Sequence, residues 1–219
     1  MHEVATGDDT GSQRLVAQRW RGAPSIRLAH QLNERCIDLF CELAIESSPE
    51  NPWSIIVSSR DLWCRLDAAA RKRLAVFPFA IVDVRFKAEL WWRAMSEHGL
   101  AMSGGASGSN STPWSRYEWL ALETLLCAWQ VAREDRGVAQ MIFAMRPSVA
   151  ECIAGLTMQQ VRTIAIGGAQ ALRIRWDDDP KFWRELLLAV REDDDRTLAT
   201  LRREAKLLFG GELLQTSVP

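Results

Sequence analysis

Neither sign of charge is in surplus in this sequence: 27 basic residues meet 28 acidic ones. The balance is also local, with 13 of each sign before residue 111 and therefore 14 basic and 15 acidic residues after it. A domain that grips nucleic acid on its own draws most of its non-specific affinity from neutralising phosphates, so an even balance argues against strong autonomous DNA binding. Long apolar runs are missing too. No stretch approaches the roughly 20 residues that span a bilayer, and the N-terminus has no apolar segment of signal-peptide length, so a cytoplasmic protein is expected.

Histidine is scarce (His2, His30 and His98), and Tyr117 is the only tyrosine. No spacing gathers these or the carboxylates into an acid-base pair. The G-x-G-x-x-G, Walker-type, G-x-S-x-G and H-E-x-x-H signatures are absent, and with them the sequence marks of nucleotide, hydrolase and metalloprotease chemistry. No catalytic site is expected. The five cysteines, Cys36, Cys41, Cys64, Cys127 and Cys152, are odd in number and form no C-x-x-C pair. That excludes the usual marks of a zinc site or a disulfide framework and leaves buried free thiols as the expectation. Neither a metal nor any other cofactor is expected.

What the sequence has is apolar bulk: 47% hydrophobic residues, ten of the 219 being tryptophan, enough for a packed core. The periodicity is that of helices. Residues 1–24 are polar and read as a mobile arm. Residues 25–102 read as an N-terminal helical domain, starting with a stripe of Ile26, Ala29, Leu32, Cys36, Leu39, Phe40 and Leu43. Two β-branched runs, "SIIV" and "FAIVDVRF", allow a minor strand pair within this domain. Asp67 is a plausible N-cap, and Gly99 is placed to end the last helix of this half. The "SGGASGSNSTP" stretch at 103–113 has the composition of a flexible tether, and the domains are divided there.

Residues 114–211 read as a second helical domain. Ser148 with Glu151, and Thr157 with Gln160, each match a capping box, so two helix starts nine residues apart are expected on either side of Gly155. "ALRIRW" reads as a short extended piece. Asp179 followed by Pro180 marks another helix start, and Gly210 with Gly211 the last helix end. The acidic triplets 177–179 and 193–195 sit at helix starts, where carboxylates favour the helix dipole without any ion. Taken as a helix-turn-helix, the stretch around Gly155 points Ala150, Ala154, Leu156, Val161 and Ile164 inward. It presents Gln159, Gln160, Arg162 and Thr163, side chains able to hydrogen-bond base edges or phosphates. Any packed helical hairpin meets the same inward pattern. The preceding helix, 115–136, carries apolar residues around far more than the roughly 100° stripe that one supporting layer covers. Trp119, Leu122, Leu126 and Trp129 are therefore candidate contacts with another subunit, in a homodimer or hetero-oligomer.

The segments "EDRGVAQMIFAM", "AGLTMQQ" and "LRIRW" within residues 119–183 resemble the core of FlhD, a flagellar master transcriptional regulator. The resemblance implies an all-α, dimer-forming subunit that acts on DNA together with a partner protein. The expectation is thus a mainly α protein of two small helical domains. Its leading function is a non-catalytic regulatory subunit in transcription. The alternative is a protein-interaction or assembly factor of a bacterial secretion or motility apparatus, without DNA binding.

Overall fold

The structure, a computed structural model, describes residues 24–46, 52–103 and 114–217, excepting the side chains of 98–103 and 216–217. The proposed arm, apart from Pro24, and tether residues 104–113 lie outside that range. Among the described residues there are eleven α-helices, one 3-10 turn and a single two-stranded sheet. The fold is mainly α, as the periodicity predicts, and no described helix is long and apolar enough to cross a membrane.

Helix α1 (Pro24–Glu46) runs through the centre, with Ile26, Ala29, Leu32, Cys36, Ile37, Phe40 and Leu43 buried at three- and four-residue spacing. Two short helices follow, α2 (Ser54–Ser58) and α3 (Arg60–Trp63), and then α4 (Ala68–Ala75). Asp67 caps α4 through the Ala70 amide at 2.7 Å, as expected of an aspartate at that position. An extended stretch leads through β1 (Val82–Val84) to α5 (Glu89–Ser103). Beyond the tether lie α6 (Arg116–Glu134), α7 (Arg136–Phe143), α8 (Pro147–Gly155) and α9 (Met158–Gly168). A 3-10 turn leads into β2 (Leu172–Ile174), and α10 (Pro180–Arg191) and α11 (Asp195–Ser217) complete the chain.

The "SIIV" run is helix α2 and not a strand. Its first amides are capped from far along the chain: the Asp177 carboxylate accepts from Ser54 N at 3.3 Å and from Ile55 N at 2.9 Å. A remote cap and the burial of Ile55 and Ile56 override the β preference of branched residues. The strand pair instead joins the two halves. Val82, Asp83 and Val84 lie antiparallel to Ile174, Arg173 and Leu172, respectively.

The two separate cores expected on either side of the tether are one cluster. Phe40 packs edge-on against Trp53 and Trp63, at 5.3 and 5.7 Å between ring centroids. Trp63 then meets Trp183 of the other half at 5.9 Å. Each of these buried indoles also has a carbonyl for its N–H: Trp53 donates to Leu172, Trp63 to Ile55 and Trp183 to Arg175. A Gly/Ser stretch separates segments along the chain, but their apolar faces are complementary and bury against each other.

The non-helical stretch from Val76 to Phe86 buries Phe77, residues 79–82, Val84 and Phe86 in this core, so the backbone polar groups there need internal partners. Asn33, wholly buried on α1, makes three hydrogen bonds to this stretch and the end of α4. Its amide donates to the carbonyls of Ala75 (3.2 Å) and Phe79 (2.9 Å), and its oxygen accepts from Ile81 N at 3.0 Å. The Arg175 side chain, 2% exposed, donates to Ala80 O and Phe143 O and pairs with Glu212 on α11.

Several expected boundaries move. Helix α5 continues through Gly99 to Ser103, and α11 continues through Gly210 and Gly211 to Ser217, beyond the expected end at 211. Two glycines within a helix cost about 1 kcal/mol each against alanine, and packing along α11 outweighs that. Ser148 does not cap α8, because Pro147 takes its first position and Arg146 stands at the cap without a side-chain bond.

Two outcomes follow from the shared core. Fragments 24–102 and 114–217, expressed separately, are expected to show the circular dichroism of largely unfolded chains and to gain helix only when mixed. Asn33→Ala, which strands the Ile81 amide and two carbonyls in the core, should cost about 3 kcal/mol, at roughly 1–3 kcal/mol for each buried polar group left without a partner. At roughly 2–4 °C per kcal/mol, that is readable as a lower melting temperature.

Candidate functional site

Helices α8 and α9 form the hairpin that the sequence suggested, and Ala150, Leu156, Val161 and Ile164 are buried, with Ala154 partly covered. Their connection is Leu156–Thr157, shorter than the three or four residues usual in a helix-turn-helix, and Gly155 is the last residue of α8. Trp129 holds the turn on α6 by donating its indole N–H to Leu156 O at 2.8 Å. Its ring also carries the Arg133 guanidinium at 4.8 Å.

The start of α9 is the expected capping box. Thr157 Oγ1 accepts from Gln160 N at 3.3 Å, while Gln160 Oε1 accepts from Thr157 N at 2.8 Å. This cap removes Gln160 from the candidate DNA contacts: its side chain is buried and committed to the turn. Thr163 is half-buried and donates its hydroxyl to Gln159 O at 3.0 Å. Gln159 and Arg162 are exposed.

The candidate interface residues divide in the same way. Leu122 is buried but helps to line the groove beside Trp119, and Trp129 is partly buried with its indole N–H engaged by the hairpin. The breadth of the apolar surface on α6 is explained within the chain, because α1, α7, α8 and α9 all pack against it. Leu126 is half-covered. Trp119 remains 53% exposed, with its ring 5.2 Å from that of Trp114.

Trp119 and the outer face of α9 border one groove of about 440 Å³, lined also by Gln159, Arg162, Thr163 and Ile166. Ile166, 49% exposed, is shared with a neighbouring groove that includes Trp53 and Tyr117. On its other side Trp119 borders an ionic groove between α1 and α6, where Arg116 pairs with Glu46 at 2.6 Å and Glu42 at 3.9 Å. The hydrogen bond that Arg116 donates to Glu46 raises the guanidinium above its ordinary pKa. Trp119 thus forms an aromatic ridge between a mostly uncharged groove and a charged one.

Trp114, Met158 and Ile166 were not singled out from the sequence. Ile166 had a readable signal: it falls four residues after Arg162, off the buried stripe of α9 and on its outer face.

A larger cavity, about 610 Å³, lies instead between β2 and α11. At its centre Glu212 takes Arg175 and, at 2.9 Å, Lys87, and it accepts from Trp176 Nε1 at 3.1 Å. The acidic triplets are likewise committed to helix ends, Asp177 capping α2, Asp179 capping α10 and Asp194 capping α11. Hydrogen bonds from Thr197 hold the Asp194 carboxyl below its usual range. No group of three His, Cys, Asp or Glu among the described residues could hold a metal ion. No protein family, characterised protein or solved structure matches this chain.

Desolvation by burial pushes the Cys41 thiol up to about 11 and Cys127 up to about 12, and it raises Cys36 well above the ordinary value. Cys64 is exposed. Because the thiolate is the reactive form, a thiol-disulfide reagent such as DTNB, used near pH 8, should modify Cys64 first. Cys64→Ser should remove the fast phase, with Cys36, Cys41 and Cys127 reacting only on unfolding.

Proposed function

We propose that this chain is a non-catalytic interaction subunit, an assembly factor of the cytoplasm that docks a partner protein over Trp119 and the outer face of α9. The observation that carries this reading is the exposure of Trp119 and Ile166 on one groove, with Met158 exposed on the same helix as Ile166. Tryptophan flanked by apolar side chains and a polar rim is the composition of a protein-binding hot spot. Gln159, Thr163 and Arg162 supply that rim.

Transcriptional action on DNA with a partner, the reading that the resemblance to FlhD favours, draws support from the exposed pair Gln159 and Arg162. Exposed Met158 and Ile166 on the same helix, the two-residue turn and the even charge balance weigh against it.

The test is quantitative co-purification from the native host with wild-type, Trp119→Ala and Ile166→Glu proteins, each checked by circular dichroism. Loss of about 2 kcal/mol at a hot-spot tryptophan predicts roughly 30-fold weaker partner binding. Arg162→Ala should have a smaller effect and leave DNA binding weak at physiological salt. Partner affinity unchanged in both apolar variants overturns the docking reading, and a partner complex that binds DNA and loses it on Arg162→Ala restores the transcriptional one.

A further inference from the structure

The octapeptide 207–214 in α11, "LLFGGELL", reads almost as a palindrome about the Gly210–Gly211 bond. The fold uses its inner positions: Phe209 stacks on Phe79 at 4.3 Å, and Glu212 pairs with Arg175 and Lys87. Leu213 packs at the edge of the core, but Leu207 and Leu214 pack on nothing among the described residues. Leu207 is 78% exposed and Leu214 is 72% exposed, at a seven-residue spacing that puts both on one side of the helix with Gly211 between them. Neither glycine is required by a close approach inside the chain, because a Cβ added at either would meet nothing within 4 Å. Helix breakers inside a continuous helix, where nothing among the described residues approaches them, leave room for a partner surface.

We propose that this face binds a second copy of the chain, the two α11 helices lying antiparallel across a two-fold axis at Gly210–Gly211. A two-fold contact requires a surface complementary to itself, in which residue i meets j and j meets i. The palindrome satisfies this. Antiparallel pairing sets Leu207 opposite Leu214, with the glycine pairs at the crossing, where missing side chains let the backbones approach closely. Charge selects the direction. Arg203 and Lys206 precede the leucines, and in the antiparallel arrangement each copy carries them toward the negative C-terminal end of its partner's helix. Parallel pairing would set them against the same cations. A contact of this length falls below the roughly 1,200 Å² at which standard interfaces begin, so the dimer exchanges with monomer. The surface is separate from the Trp119 groove, and neither proposal depends on the other.

Sedimentation equilibrium of the full chain, from low micromolar to near-millimolar concentration, tests this directly. The mass should rise with concentration from 24.7 kDa toward twice that value. Leu207→Glu combined with Leu214→Glu should hold the chain at the monomer mass without lowering its melting temperature. Gly210→Ala with Gly211→Ala separates docking from folding: in dilute protein the change should raise the melting temperature, because alanine favours the helix and meets no neighbour, yet it should weaken the dimer at least about tenfold. Direction is read in a Cys64→Ser background, where Leu207→Cys and Leu214→Cys chains should oxidise preferentially with each other. A chain that stays monomeric throughout overturns the proposal, as does a dimer that the paired glutamates leave intact. A preference for 207–207 crosslinks overturns the antiparallel arrangement.

Discussion

A non-helical segment carried through the middle of a helical core is the constraint on which this fold depends. A helix satisfies its own backbone, but the stretch from Val76 to Phe86 cannot, and water does not reach its buried residues. Its amides and carbonyls are met from every side: by Asn33 on α1, by Arg175 after β2, by Ile142 O at 2.9 Å from Ala80 N, and by the Arg146 amide at 3.2 Å from Phe86 O. Each of these partners fixes another element. Asn33 anchors α1, Ile142 anchors α7, Arg146 anchors the start of α8, and Arg175 ties β2 to α11 through Glu212. The short sheet is the ordered centre of this network, and it takes one strand from each side of the tether.

That network determines what is left for the surface. With α1, α7, α8 and α9 packed on α6, the long apolar helix is largely used up internally, and Trp119 near its N-terminal end stands out of the core. The hairpin of α8 and α9 is fixed by two bonds at its turn, the capping box of Gln160 and the indole of Trp129. Both residues spend on the turn the hydrogen-bonding groups that a recognition surface would need. What α9 presents outward is accordingly a mixture of Gln159, Arg162, Met158 and Ile166, more apolar than a phosphate-binding surface and better matched to another protein. The outer face of α11 is the second place where apolar surface exceeds what the core can absorb.

Legibility in the sequence followed the range of the interactions. The periodicity of α1 and α6 and the caps at Asp67, Thr157 and Asp179 are short-range, since a cap and the amide it meets lie three residues apart and a helical stripe repeats every turn. Those elements formed where their own residues directed. The stops that depended on context moved: Gly99 lies inside α5, and Gly210 and Gly211 lie inside α11, where the packing of Phe209 and Leu213 outweighs their low propensity. For the site, the sequence placed Trp119, Gln159 and Arg162 on outward faces; the capping box it also indicated commits Gln160 to the turn, and the partner of the Trp129 indole comes from the neighbouring hairpin.

By itself the sequence determined a helical protein with an even charge balance, free thiols and an apolar excess on α6, all properties of composition and local spacing. Tertiary structure alone decided that "SIIV" is a helix, through the carboxylate of Asp177 more than a hundred residues away. It decided that the strand at Val82 pairs across the tether and that Arg175 is a buried tie where alternation gives no such sign. These outcomes share one physical reason. A buried polar group must find a partner, and in this chain the partners of the central segment are distant in sequence, so no pattern within a window of residues records them.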